Sequence, residues 1–204
     1  MEINNITLEV EDADQAESAE RFYRDSFGLA DRVSVVVAPS SSSGFRGFAP
    51  SLVLTQPADV DALFDRAIAG GAEVLKPVSK GIWGYGGSLR APEGTVWQVS
   101  SESKKNTGPA TGEIISMVLL LGVADVKASK RFYEQHGAVV AKSFGGTYAE
   151  FRTGQVTLAL YKRAGLAKQV GLSDATGSGS HRVIAVGDTD LTDPDDYVFA
   201  TRVD

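Results

Sequence analysis

Two stretches of the chain carry the same succession of apolar and polar positions. Near the start, Ile6, Leu8 and Val10 alternate with Asn5, Thr7 and Glu9, the period of two that marks a strand with one buried face. An acidic turn follows at Asp12 to Asp14. Beyond it Ala16, Ala19, Phe22, Tyr23 and Phe27 fall at helical spacing, and Gly28 stands where a helix wants a residue able to take positive φ. The second stretch opens on residues 117–123, which are almost wholly apolar and so read as a strand covered on both faces. Asp125 is its acidic turn, Ala128, Phe132 and His136 its helical stripe, and Gly137 its stop. Glu20-Arg21-Phe22-Tyr23 thus recurs as Lys130-Arg131-Phe132-Tyr133, an internal repeat.

Further strands are predicted at residues 32–38, 51–55, 84–90 and 95–100 in the first half, and at 138–144, 147–152, 156–161, 182–186 and 197–201 in the second. A second helix over residues 59–69 gathers Val60, Leu63, Phe64 and Ala67 on one face and ends at Gly70-Gly71. It has no counterpart after Val186, so the second half reads as shortened. The serine run at 40–43, with Gly44 and Gly47, predicts a flexible loop. Residues 101–112 are polar and without apolar periodicity, as a linker would be. These elements predict an α+β fold of tandem βαβββ modules: residues 1–100, then a shortened module at 113–204. Neither half is apolar enough for a confident core of its own. The expected result is one structural unit, with curved mixed sheets around a shared cavity and helices outside.

Composition narrows the function classes. Hydrophobic residues are 43% of the chain and charged residues 23%, the ordinary globular range. A net charge of −6 without clustered Lys or Arg argues against nucleic acid or an anionic membrane as partner. The absence of cysteine removes disulfides, thiolate metal sites and Cys nucleophiles. No apolar run approaches the roughly 20 residues of a membrane span. The first residues lack the basic start and apolar run of a signal peptide, so a cytoplasmic protein is expected.

The strand, the Asp turn and the helix carrying Phe-Tyr and then Gly resemble the vicinal oxygen chelate superfamily. So does Gly84-Tyr85-Gly86-Gly87 leading into Ala91-Pro92-Glu93-Gly94-Thr95-Val96-Trp97-Gln98-Val99. Asp193-Pro194-Asp195-Asp196-Tyr197-Val198-Phe199 repeats the same turn and final strand near the end. The resemblance spans nearly the whole chain and implies the glyoxalase/bleomycin-resistance fold. Glyoxalase I, bleomycin-resistance proteins, fosfomycin-resistance enzymes and extradiol dioxygenases share it, so it does not fix a reaction. In metal-dependent members, each module supplies a His or Gln opening its first strand and a Glu on its last strand, after an aromatic residue. The matching positions here hold Asn5, Gln98, Val118 (Met117 if the register slips by one) and Ala200. A catalytic divalent ion needs about three anionic or imidazole ligands. The family's ligand positions are therefore not retained, and no cofactor is predicted; a divalent metal would need a different ligand set.

The strand period nominates the residues facing the cavity. Asn5, Thr7 and Glu9 share one face, and Gln98 points the same way while Trp97 joins the core. Asn5 and Gln98 either hydrogen-bond a polar ligand or satisfy each other or a buried water. Tyr148, Glu150 and Arg152 line one strand face, with Thr157, Ala159 and Tyr161 beside them. Glu150 is the acid/base candidate, since a carboxylate in a partly apolar cavity is readily held protonated; the alternative is an ion pair with arginine. His136 fits a helix end. His181 heads a strand and could carry a proton or donate to a ligand, or be only a loop histidine. Trp83 and Tyr85, with Phe45 and Phe48, form either an aromatic wall over a ligand or a seal on the sheet edge. The function expected is metal-independent binding of a small molecule, drug or metabolite, as in antibiotic-sequestering members. The alternatives are a glyoxalase-type lyase or isomerase or a dioxygenase-like enzyme with another metal site, and a partner-binding protein whose cavity is filled by side chains. Monomer and homodimer are both open.

Overall fold

The computed structural model describes residues 1–38, 43–81, 84–173, 175–178 and 182–203. The first half forms β1 (Ile3–Val10), α1 (Ala13–Phe22), β2 (Val33–Val37), β3 (Ser43–Gly44), β4 (Phe48–Leu54), α2 (Pro57–Ala69), β5 (Glu73–Gly81), β6 (Gly84–Arg90) and β7 (Val96–Ser101). The second forms β8 (Ile114–Val123), α3 (Val126–Gln135), β9 (Val139–Phe144), β10 (Tyr148–Arg152), β11 (Val156–Lys162), α4 (Arg163–Gln169), β12 (Gly177–Ser178), β13 (Val183–Gly187), β14 (Leu191–Thr192) and β15 (Val198–Ala200). The acidic turns are helix caps: Asp12 accepts from the Gln15 amide, and Asp125 from those of Lys127 and Ala128. A π-helical turn, Tyr23–Phe27, extends α1 to Gly28 at φ 70°. No helix of the described residues is long and apolar enough to cross a membrane.

The fold is α+β, with an eight-stranded sheet in the order β5-β6-β7-β4-β8-β11-β10-β9 and a five-stranded one in the order β14-β15-β13-β1-β2. A short ribbon joins β12 to β3. The large sheet consists of two βαβββ units, β4-α2-β5-β6-β7 and β8-α3-β9-β10-β11, each with its first and last strands parallel. They meet through antiparallel β4 and β8, from Phe48↔Leu121 to Leu54↔Ile114. The five-stranded sheet joins the two ends of the chain, with β1 antiparallel to β13 and parallel to β2. Each sheet therefore takes strands from both sides of the linker, an exchange that local periodicity does not encode. Strand β5, which contains Pro77, is an addition to the predicted elements; it lies at a sheet edge, where a missing N–H is tolerated.

The apolar faces of α1, α2 and α3 share one core with Leu52, Trp97, Leu119 and Leu158 of the large sheet and Ile6, Leu8 and Ala185 of the small one. The repeated Phe-Tyr pair has its explanation here. The Tyr23 hydroxyl donates to Glu93 and accepts from Trp97 Nε1 at 3.2 Å, while the Tyr133 hydroxyl donates to Asp193 at 2.6 Å. Each tyrosine pins the turn that launches a final strand, β7 or β15. Burial, reinforced by the carboxylate alongside, pushes both hydroxyls well above their ordinary pKa. Both turns contain a left-handed residue: Gly94 at φ 96° in one, Asp196 at φ 66° in the other. The linker is pinned as well. Asp59, buried at the start of α2, accepts from the Thr111 and Gly112 amides at 2.5 and 2.8 Å, and Gln56 accepts from the Thr107 amide at 2.7 Å.

Candidate functional site

Strand register assigns each side chain of the large sheet to one of two faces, because ladder partners point the same way. Leu52, Val99, Leu119 and Leu158 face the helical core. The opposite, inner face carries a row across four strands: Gln98, Ser51, Val118 and Thr157. Helix α4 lies on this inner face. Leu166, Ala167 and Val170 are 0–1% exposed and pack on Phe45, Ala49, Val96, Leu120 and Ala159 in a second apolar cluster. Ser88 Oγ donates to the Val170 carbonyl at 2.6 Å, anchoring the end of the segment. Most of the expected cavity is thus filled by the chain itself.

An open groove remains beside α4, with a volume of about 330 Å³, lined by Lys76, Ser79, Gln98, Ser100 and Gln169 over Gly84 and Gly86. On this side β6 contributes Gly84 and Gly86 to the lining, whereas on the other side of the sheet's centre β10 carries Tyr148 and Glu150 on the inner face. Gln169 Nε2 donates to Gln98 Oε1 at 3.2 Å and lies 3.5 Å from the Tyr161 hydroxyl. A second open depression, of about 520 Å³, lies by the β3–β12 ribbon near Phe45, Arg90 and Leu172.

The residues nominated from the sequence separate into distinct places. Asn5, Thr7 and Glu9 lie on the small sheet, where Asn5 pairs with Val186 and Thr7 with Ile184; Ala200 pairs with Val186 in turn. Asn5 and Gln98 belong to different sheets, and Gln98 is bonded to Gln169 instead, with no hydrogen bond between the two amides among the described residues. The positions that the sequence resemblance matched to metal ligands divide likewise, Asn5 with Ala200 in one sheet and Gln98 with Val118 in the other. Neither row fits a divalent metal. One offers a single amide between apolar side chains, the other an amide and two hydroxyls, with no carboxylate or imidazole. Among the described residues, no three His, Cys, Asp or Glu side chains converge.

Gln98, Tyr148, Glu150 and Tyr161 do share the inner face of the large sheet, on either side of α4. Glu150 forms its ion pair with Lys142, at 3.6 Å, rather than with arginine, and it also accepts from Tyr148. Tyr148 meets Tyr161 edge-on at 4.9 Å and stacks on Phe144 at 5.8 Å. Burial, then the Glu150 bond, raises the Tyr148 hydroxyl well above its ordinary pKa. Tyr85 borders the groove, but its hydroxyl donates to Asp61 of α2 at 2.6 Å, and this bond, with burial, pushes its pKa up to about 12. That bond ties it to the helix side of the sheet, away from an aromatic wall over a ligand. Phe45 packs beneath α4, and Phe48 belongs to the main core. His136 closes α3, its Nδ1 2.8 Å from the Phe132 carbonyl. Trp83 and His181 lie outside the described residues. Ser100, which the strand period places on the same face as Gln98, does line the groove, whereas Lys76, Ser79 and Gln169 escaped the sequence reading, because polar residues on an unpredicted edge strand and a seven-residue helix carry no periodic signal.

The sheets and their βαβββ units define a class: the chain has the fold of the vicinal oxygen chelate superfamily. Among solved structures it is similar to a Bacillus subtilis protein provisionally assigned as a dioxygenase, with a TM-score of 0.57 and 12% identity over 96% of this chain and 72% of that one. It is also similar to glyoxalase I from Zea mays, with a TM-score of 0.53 and 16% identity over 79% of this chain and 68% of that one. No family model and no curated sequence matches the chain.

Proposed function

We propose that the protein binds a small molecule, a drug or metabolite, in the groove beside Gln98, without a metal at the family's ligand positions. The observation that carries this reading is the groove itself. Gly84 and Gly86, which approach the β7 backbone too closely for a Cβ, form part of its lining, and Gln98, at a family ligand position, borders it with Ser79 and Ser100. Its volume of about 330 Å³ is that of a small ligand pocket. Glu150 is held by Lys142 and Tyr148 away from the groove lining, so it serves the sheet rather than proton transfer. A thermal-shift screen of polar and amphipathic compounds tests the proposal, run on the native chain and on Gln98→Leu. Compounds that stabilise the native chain but not the variant, without turnover, are the expected result. Turnover of a bound compound, or stoichiometric metal in protein purified without chelators, would overturn it.

A further inference from the structure

The groove has a one-sided charge. Among the described residues, Lys76 is its only ionisable lining group apart from Tyr85, whose hydroxyl is held by Asp61, and no carboxylate lines it. In a chain with a net charge of −6, such a pocket is distinctive. The contact made by the Lys76 ammonium is a weak one, 3.5 Å from the Gln169 carbonyl, with no ion pair to an acid among the described residues. Three further donors are uncommitted. Among the described residues, Gln98 uses its carbonyl on Gln169 and leaves its amide NH₂ available, and the Ser79 and Ser100 hydroxyls form no side-chain hydrogen bond. One cation and three neutral donors therefore border a space floored by Gly84 and Gly86. That arrangement complements an acceptor-rich anion.

The charge of the ligand follows from the same groups. Among the described residues, no arginine fork and no helix N-terminus lines the groove; α4 instead presents its C-terminal Gln169 carbonyl next to Lys76. A carbonyl end carries partial negative charge and opposes a dianion. Resting on the proposed binding function, we infer that the groove selects a small, singly charged carboxylate bearing additional hydroxyl or oxo oxygens. Lys76 meets the carboxylate, and Gln98, Ser79 and Ser100 donate to the remaining oxygens.

Lys76 is exposed, so its replacement leaves the fold intact, which a thermal melt verifies. The probes are glycerate and lactate as carboxylates, glycerol as the neutral analogue and inorganic phosphate as the dianion. Each is titrated by amide NMR on the native chain, Lys76→Met and Lys76→Arg. Shifts at Gly84, Gly86 and Ser100 should saturate with glycerate, ahead of lactate and glycerol. Lys76→Met should weaken glycerate about tenfold, the loss expected for one charge-assisted hydrogen bond, and Lys76→Arg should restore most of it. Equal binding of glycerate to Lys76→Met and the native chain, or a preference for phosphate or glycerol, would overturn the inference. Neutral screening hits in the groove with no carboxylate binding would defeat this inference alone. An absence of any ligand in the groove would defeat the binding function as well.

Discussion

Truncating Leu166 to alanine removes the side chain around which α4 seats on the inner face of the large sheet. Leu166 is 0% exposed and shares its cluster with Phe45, Ala49, Leu120 and Val170. Ala49 and Leu120 are ladder partners on β4 and β8, the two central strands, so the floor beneath Leu166 is held by backbone hydrogen bonds and cannot collapse into the vacated space. The lost transfer free energy is then joined by a cavity term, and the substitution should destabilise the protein by about 3 kcal/mol. For a chain of this size that corresponds to a fall of about 6–12 °C in the melting midpoint. Calorimetry and urea unfolding followed by two probes would measure it. Ile115→Ala, at a position 60% exposed, is the control and should stay within about 0.5 kcal/mol of the native chain. A loss for Leu166→Ala no larger than that of the control would refute the packing of α4 on the sheet.

Three other substitutions probe the turns and the linker. Tyr133→Phe removes the 2.6 Å bond to the buried Asp193 and should cost about 1.5–3 kcal/mol in urea unfolding, the range for hydrogen bonds to a charged group. Asp196→Gly relieves a left-handed conformation at φ 66° and should stabilise the chain by about 0.5–1 kcal/mol; a loss would show that the aspartate side chain is needed there. Asp59 titrates below its ordinary value: burial alone would raise it, but the bonds from Thr55, Gly112 and Thr111 outweigh burial. The folded chain therefore binds fewer protons than the unfolded one in that interval. The contribution of this carboxylate is complete above the unfolded pKa of about 4 and is lost as pH falls through the folded value. The stability difference between the native chain and Asp59→Asn should accordingly shrink below about pH 4. A difference independent of pH would show that Asp59 does not titrate in this way.

Much of the architecture was legible because the informative signals are local. The Asp12 and Asp125 caps, the two Phe-Tyr pairs and the glycine stops each act within a few residues, and each marks an element present in the structure. The exchange of strands between sheets is not local. Nothing in the alternation of β1 specifies β13 as its neighbour, since both offer apolar residues on one face. The candidate site suffered from the same limit. Asn5 and Gln98 match one pattern of family positions, yet the pattern does not say which modules face each other, and the two residues fall in separate sheets. Helix α4 was illegible for a different reason. Its seven residues hold too few apolar positions to show a period, and its effect on the cavity exists only once β4, β7, β8 and β11 have come together.

The joining of the chain's two ends in one sheet also sets an order of assembly. Ile3 pairs with Gly187, whereas every strand of the large sheet lies between Phe48 and Lys162. On a ribosome adding about 5–20 residues per second, β1 and β2 emerge before the large sheet and wait roughly ten to thirty seconds for β13. The large sheet, needing nothing from either end, can close in the meantime and offer its helical face as a template. β1 can pair early with β2 but must wait for β13 on its other edge, and until then Ile6, Leu8 and Val33 have only helices and the large sheet to shield them from other nascent chains.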